Sequence, residues 1–254
     1  NSGGVMNYVF SALYGVAAGK GLPLDGMTMG IVGVGNVGRL VERVAGILGF
    51  KVLKNDPPRM ASEGPYGFST LEELLAQSDI VTMHVPLDAS TTGMCDDAFF
   101  SGMKDGSIFI NAARGEIVDE SALKRHASKF KAFILDTWNK EPALVRALLA
   151  MTDIATPHIA GYSYRGKQNG TAAAVRAFAR HFAIEPLYDF FPKTEYLELE
   201  SVKLDVKGRT QGEIASLLQY NYPVFTDDFM LRTAPEEFET LRSDYKYRRE
   251  FYID

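Results

Sequence analysis

Two groups of residues have the types and spacing that chemistry needs. The first is Gly33-Val34-Gly35-Asn36-Val37-Gly38. Gly33 permits a tight turn, Gly35 lets a pyrophosphate approach backbone amides at a positive helix end, and Gly38 lets a helix pack closely on a strand. Asp56 lies 18 residues beyond Gly38, where a carboxylate would accept from a ribose 2′-hydroxyl and repel a 2′-phosphate. NAD is therefore the expected cofactor rather than NADP, with the neighbouring Arg59 as the residue that would favour the reverse. The second group is His84, Arg114, Asp136 and His158. Like Asp56, each falls at the C-terminal end of a predicted strand, the edge at which open parallel sheets bind ligands. For two of them another reading stays open: His84 as a hydrogen-bonded core histidine, Asp136 as a helix cap.

The elements that must position these residues follow from the apolar pattern. Short apolar runs occur at 27–35, 51–55, 79–85, 107–113, 131–136 and 153–158. Most are rich in Val, Ile, Phe and Thr, as expected of strands buried on both faces. Between them lie helical stretches. Val37–Leu48 repeats apolar residues at helical spacing. Ser69-Thr70-Leu71-Glu72-Glu73 resembles a helix start with acids in the first turn, and Asp119–Phe130 begins with an acid and ends in bases. Pro142 is expected in a first helical turn. Six strands alternating with helices predict an α/β fold, a Rossmann-type doubly wound parallel sheet. Before it, Val5–Ala18 has apolar residues at helical spacing and must be packed against the cofactor domain or a partner subunit. After it, Gly166–Phe182 predicts a helix. Tyr196–Val206 alternates as an antiparallel strand would, with a break between Leu199 and Val202. Helical stretches are expected near Gly212–Tyr220 and Pro235–Tyr247. This tail predicts a small C-terminal α/β module.

Composition excludes several classes. The chain has 254 residues, 46% hydrophobic and 23% charged, which suits two compact globular units. With 27 Lys and Arg against 32 Asp and Glu the formal charge is −5, so no bulk attraction draws it to nucleic acid or anionic membrane. No segment has the length of apolar residues needed to span a bilayer. The single Cys95 excludes an intrachain disulfide and a Cys-paired zinc site, and no metal is expected. A reducing, cytoplasmic setting is the expectation.

Four ordered motifs then carry a family resemblance. The glycine loop, Asn111-Ala112-Ala113-Arg114-Gly115-Glu116-Ile117-Val118-Asp119, Asp136-Thr137-Trp138-Asn139-Lys140-Glu141-Pro142 and Thr156-Pro157-His158-Ile159-Ala160-Gly161 resemble the D-isomer-specific 2-hydroxyacid dehydrogenases. The resemblance runs from about Asn7 to Arg180. It implies that Arg114 holds the substrate carboxylate and carbonyl oxygen, that His158 is the acid/base, and that Glu141 orients and tunes it. It implies a cofactor site of Gly33, Gly35, Asn36, Val37, Gly38, Asp56, His84, Pro86, Ala112, Arg114, Asp136, His158 and Gly161. The chemistry suits these types. An imidazole can take the hydroxyl proton of a secondary alcohol, a carboxylate fixes its tautomer, and a guanidinium grips a carboxylate through two bonds.

The tail narrows the resemblance. Thr226-Asp227-Asp228-Phe229-Met230-Leu231-Arg232, Phe238–Tyr245 and Arg248-Arg249-Glu250-Phe251 are similar to the C-terminal dimerisation domain of the family's erythronate-4-phosphate dehydrogenases, as are Asp56-Pro57-Pro58-Arg59 and His158–Tyr162. That branch implies NAD-dependent oxidation of 4-phospho-D-erythronate in pyridoxal phosphate (vitamin B6) biosynthesis, a phosphorylated 2-hydroxy acid as small-molecule partner, and a homodimer. Arg232, Arg242, Arg248 and Arg249 are candidate phosphate ligands. Two alternatives remain at this point: a dehydrogenase for 3-phosphoglycerate or glyoxylate, and a non-catalytic NAD(H) sensor. The chain divides as an NAD-binding domain with an interdomain helix at 1–165, a return helix and connector at 166–190, and a dimerisation domain at 191–254. Relatives carry a substrate-binding segment before the first helix, so this chain is expected to lack it and to bind NAD while turning over slowly or not at all.

Overall fold

The computed structural model describes residues 1–193 and 202–254. All six apolar runs form strands: β1 (Thr28–Val32), β2 (Lys51–Asn55), β3 (Ile80–Met83), β4 (Ile108–Asn111), β5 (Ala132–Leu135) and β6 (Ile154–Ala155). They make one parallel sheet in the order β2-β1-β3-β4-β5-β6. The chain leaves β1 toward β2 on one side and returns to β3 on the other, so the topological switch lies between β1 and β3. Ligands bind such sheets at that crevice.

Alternate residues along each strand serve two cores. Ile31, Ile80, Ile108, Ile110, Ile134 and Ile154 face one layer of helices, while Val81, Met83, Phe109, Phe133, Leu135 and Ala155 face the other. Burial on both faces is why these strands read as continuous apolar runs. Helix α3 (Pro57–Glu63) follows β2, and the second layer holds α4 (Leu71–Gln77), α5 (Asp97–Gly102), α6 (Glu120–His126) and α7 (Arg146–Met151). Thr70 caps α4 reciprocally with Glu73, and Asp119 caps α6 through the amides of Ser121 and Ala122. Pro142 does not open a helix. It lies in a turn, and α7 starts four residues later at Arg146 because the intervening loop is drawn to the sheet edge by Glu141.

The first layer is built on α1 (Ser2–Lys20), which is buried from Gly3 to Ala17 and ends at Gly21 in the left-handed region, φ 64°. A helix apolar all round must be covered all round. One side meets α2 (Asn36–Ile47) and the sheet. The other meets the tail: α9 (Gln211–Asn221), α10 (Val224–Thr233) and β7 (Val202–Leu204) paired with β8 (Phe251–Ile253). Polar groups fix this docking. Asn7 Nδ2 donates to the Phe251 carbonyl at 2.8 Å and its Oδ1 accepts the Phe251 amide at 3.1 Å, while Gln219 donates to the Ser11 carbonyl at 2.7 Å.

Three tail expectations are corrected. The described end of the predicted antiparallel strand, Val202–Leu204, pairs parallel to β8, and the rest of that stretch, with its predicted break, lies outside the described residues. Helix α10 was not anticipated as an element. The predicted Pro235–Tyr247 helix is a short 3-10 turn followed by α11 (Phe238–Ser243), after which the chain extends. Helix α8 (Tyr164–His181) forms as expected. No helix among the described residues is long and apolar enough to cross a membrane.

Candidate active site

The C-terminal ends of the six strands bring the sequence-predicted residues to one edge. Gly33 follows β1, Asp56 follows β2, His84 and Pro86 follow β3, Ala112 and Arg114 follow β4, Asp136 and Glu141 follow β5, and His158 and Gly161 follow β6.

The glycine loop has the geometry that a dinucleotide needs. Gly33 has φ 86°, and a Cβ there would lie 2.7 Å from the His84 carbonyl carbon. A Cβ at Gly38 would lie 2.1 Å from the Gly33 carbonyl oxygen, so only glycine lets α2 start so close to β1. At Gly35, by contrast, a Cβ would meet nothing within 4 Å, leaving open space before the first amides of α2, where Asn36 and Val37 stand. A phosphate group fits this cradle. Asp56 closes it: Oδ2 accepts the Val34 amide at 2.7 Å and Oδ1 the Arg59 amide at 3.0 Å. Each oxygen keeps a lone pair for a ribose hydroxyl. Arg59 is already committed, to both oxygens of Glu63 and to the Val34 carbonyl. That removes it as a free cation for a 2′-phosphate.

His84 enters through its backbone. Its ring Nε2 lies 3.0 Å from the Thr82 hydroxyl, and burial pushes the imidazole down to about 3, so it is neutral. Its main chain forms the wall against Gly33, and the ring of this half-buried residue is hydrogen-bonded within the protein, outside both apolar cores.

Across the sheet, the loops after β4, β5 and β6 interlock. Asn111, quoted in a motif but given no role from sequence, pins the first of them. Its Oδ1 accepts the Ala113 amide at 3.0 Å and its Nδ2 donates to the Arg114 carbonyl at 2.9 Å. The Arg114 guanidinium stands exposed and, among the described residues, is bonded only to its neighbour's carbonyl, the Ala113 oxygen at 2.7 Å. A Cβ at Gly115 would lie 1.9 Å from the Trp138 carbonyl oxygen, so the β4 and β5 loops touch backbone to backbone. Buried Trp138 donates its indole N–H to the Thr156 carbonyl at 2.9 Å, joining the β5 loop to the β6 loop.

Glu141 and His158 meet in the middle. Glu141 Oε2 lies 2.8 Å from His158 Nδ1, and Oε1 accepts the Trp138 amide at 2.9 Å. His158 has φ 58°, the left-handed region that costs a non-glycine residue about 1–3 kcal/mol unless its surroundings impose it. Asp136 imposes it. Its carbonyl accepts the His158 amide at 2.7 Å, Oδ1 accepts the Ile159 amide and the Thr156 hydroxyl, and Oδ2 accepts the Ala160 amide. Thr156 has one proton and gives it to Asp136, so the Tyr8 hydroxyl, 2.8 Å away, donates to Thr156. Burial pushes the Asp136 carboxyl up, opposed by the nearby His158 and by these donors. Asp136 is 1% exposed, caps no helix and turns both oxygens to the protein. The geometry gives it the His158 turn to hold.

The tail brackets the same turn. Half-buried Arg248 donates to the carbonyls of Ile159 and Ala160 and lies 3.4 Å from the Tyr222 ring centroid. Arg232 is held by Asp228, whose Oδ1 accepts the Ala155 amide at the sheet's edge. These two arginines are spent on the protein and are not free phosphate ligands. Arg242 stands beside Glu141, and Arg249 is exposed. Among the described residues no cluster of His, Cys, Asp and Glu has metal-binding geometry.

A family model described as D-isomer specific 2-hydroxyacid dehydrogenase, NAD binding domain, matches residues 14–160. An erythronate-4-phosphate dehydrogenase of Yersinia pestis (strain Pestoides F) is 39% identical over 265 aligned positions, covering 99% of this chain and 69% of that protein. The enzyme of the same name from Yersinia pseudotuberculosis serotype O:1b matches equally, at 39%. Among solved structures, D-lactate dehydrogenase from Aquifex aeolicus, complexed with NAD and lactic acid, is 27% identical with a TM-score of 0.60, covering 76% of this chain and 72% of that one. D-lactate dehydrogenase with NAD+ from Lactobacillus jensenii is 28% identical with a TM-score of 0.55, covering 65% of this chain and 61% of that one.

Proposed function

The chain belongs to the D-isomer-specific 2-hydroxyacid dehydrogenases, NAD-dependent enzymes, and we propose that its own reaction is oxidation of 4-phospho-D-erythronate to the 2-oxo acid. The observation that carries the acid–base half of this reading is the 2.8 Å contact between His158 Nδ1 and Glu141 Oε2 at the ligand-binding edge of the sheet. The observation that favours this substrate is the likeness of the whole chain, tail included, to the Yersinia enzymes. The step belongs to pyridoxal phosphate biosynthesis, in a cytoplasmic homodimer joined through the tail at 191–254, with the cofactor domain at 1–165 and a return helix and connector at 166–190.

Gly33, Gly35, Asn36, Val37 and Gly38 would hold the pyrophosphate and Asp56 the adenosine ribose, with Pro86, Ala112 and Gly161 lining the remainder of the cofactor site. When bound, NAD supplies the acceptor for the hydride that leaves C2. Everything else falls to the chain. With Glu141 on Nδ1, the tautomer that carries its proton there leaves the Nε2 lone pair free for the C2 hydroxyl proton. Glu141 then stabilises the resulting imidazolium, as a carboxylate does in other His–acid pairs. The free guanidinium of Arg114 grips the substrate carboxylate and polarises the C2 oxygen.

The test is oxidation of 4-phospho-D-erythronate by the full-length protein with NAD, with 3-phosphoglycerate alongside, a 2-oxo acid present to reoxidise retained NADH, and the oxidised product of each hydroxy acid followed directly. Preference for 4-phosphoerythronate is expected. Preference for 3-phosphoglycerate would replace the substrate assignment and leave the cofactor site standing.

A further inference from the structure

Glu141 has a second cationic neighbour, and it comes from the tail. Arg242, on α11, places Nη1 3.6 Å from Glu141 Oε2, the same oxygen that lies 2.8 Å from His158 Nδ1. At 3.6 Å this is an ion pair rather than a hydrogen bond. Both partners are partly shielded from water, with side-chain exposures of 37% for Arg242 and 18% for Glu141. Among the described residues Arg242 has no other carboxylate within 4 Å, and its Nε is buried without a hydrogen-bond acceptor. An arginine whose buried donor goes unpaired while its charge faces one carboxylate is placed by that carboxylate.

We propose that Arg242 is a positioning residue for the acid–base pair: it holds the Glu141 carboxylate so that Oε2 stays on His158 Nδ1. This rests on the assignment of Glu141 and His158 above. The need for it is local. Glu141 sits in a loop without regular structure between β5 and α7, and its side chain has three rotatable bonds. The Trp138 amide restrains Oε1 alone. Oε2, the oxygen that must face the imidazole, is restrained on its other side by Arg242. Arginine suits this place because it stays charged and cannot exchange a proton with the pair. Anchorage on α11 means that the tail module reaches the catalytic carboxylate directly. A cavity of about 290 Å³ is walled by Pro157, next to His158 in the chain, and by Thr240, Leu241 and Asp244 around α11, so the module abuts the His158 loop.

The experiment compares Arg242→Met and Arg242→Lys with the wild-type, full-length protein, measuring kcat, KM for the hydroxy acid and NADH affinity. Arg242→Met is expected to lower kcat about tenfold while KM and NADH affinity stay within about twofold, because the interaction acts in proton transfer rather than in binding. Arg242→Lys, which keeps the charge, is expected to recover most of the loss. An unchanged kcat would overturn the proposal. So would a rise in KM for the phosphorylated substrate at constant kcat, which would make Arg242 a phosphate ligand instead. Failure of the lysine variant to recover any activity would point to packing and would also overturn it. Glu141→Gln, run in parallel, separates this inference from its premise. If that variant keeps full kcat, the acid–base assignment falls. If it loses activity while Arg242→Met does not, only the role of Arg242 falls.

Discussion

Replacing Asp136 with Asn tests how His158 is held. In the wild type the two carboxylate oxygens accept three protons at 2.7, 2.8 and 3.0 Å, from Thr156, Ile159 and Ala160. An asparagine has one acceptor oxygen. If it replaces Oδ1, its NH2 faces the Ala160 N–H, donor against donor. One buried amide then loses its acceptor, which costs about 1–3 kcal/mol. The remaining bonds lose their charge assistance, and relief of the buried carboxylate's desolvation offsets part of this. A net loss of about 2 kcal/mol follows, or about 4–8 °C in Tm for a chain of this size. The functional loss is larger. The left-handed His158 stores strain comparable to the lost bond, so the turn relaxes. A displacement of about 1 Å in a catalytic group costs on the order of 10²-fold in kcat. The glycine loop and Asp56 are on β1 and β2, away from the change, so NADH affinity should stay within a few-fold. It can be read from quenching of Trp138, the only tryptophan. Thermal unfolding and steady-state kinetics decide the matter. Wild-type Tm and kcat would refute the reasoning. A collapse of NADH affinity at unchanged kcat would make Asp136 a cofactor ligand.

Three further outcomes are expected. Gly115→Ala should destabilise by about 1–3 kcal/mol and lower kcat, since its Cβ would meet the Trp138 backbone at 1.9 Å; a wild-type melting curve would show that these loops have slack. His84 has a folded-state value of about 3 against an ordinary 6.5, so the unfolded chain binds the extra proton between those limits. Its contribution is whole above pH 6.5 and falls by up to about 1.4 kcal/mol per pH unit as the pH drops below it. His84→Gln should flatten the pH dependence of denaturant unfolding between pH 6.5 and 5, and an unchanged slope would contradict the lowered value. Asp56→Ala should narrow the preference for NAD over NADP about tenfold, a difference of about 1.4 kcal/mol, in paired binding titrations; unchanged discrimination would remove Asp56 from that role.

The sheet was legible because five of its strands, β1 and β3 to β6, are almost wholly buried. Each of these reads as a short apolar run, and Asp56, His84, Arg114, Asp136 and His158 lie at or beside the ends of the runs on the binding edge. Pro142 misled because a proline that suits a first helical turn suits a loop equally, and the pull of Glu141 toward His158 is a tertiary effect. The parallel pairing of β7 was hidden because its partner is the last strand of the chain, Phe251–Ile253, and alternation in one strand carries no direction for its neighbour. Helix α10 was obscured because Asp227, Asp228 and Arg232 interrupt its apolar pattern, whereas in the fold Asp228 and Arg232 turn inward to tie the β6 edge. Asn111 holds its own loop through the backbone of Ala113 and Arg114, a local turn with no mark of chemistry in its residue types, and Arg242 faces a carboxylate distant in sequence, a contact that no local spacing encodes. Asp136 was placed correctly at the edge, but its direction, into the protein, depends on the turn it holds.

The central claim is that His158, oriented by Glu141, takes the substrate proton. The direct measurement is single-turnover NADH formation by His158→Asn, with NADH binding followed on the same sample. The account predicts a loss of at least about a hundredfold in the rate, within the 10²–10⁴ range of a general base, with cofactor affinity unchanged. A rate within threefold of wild type would contradict it.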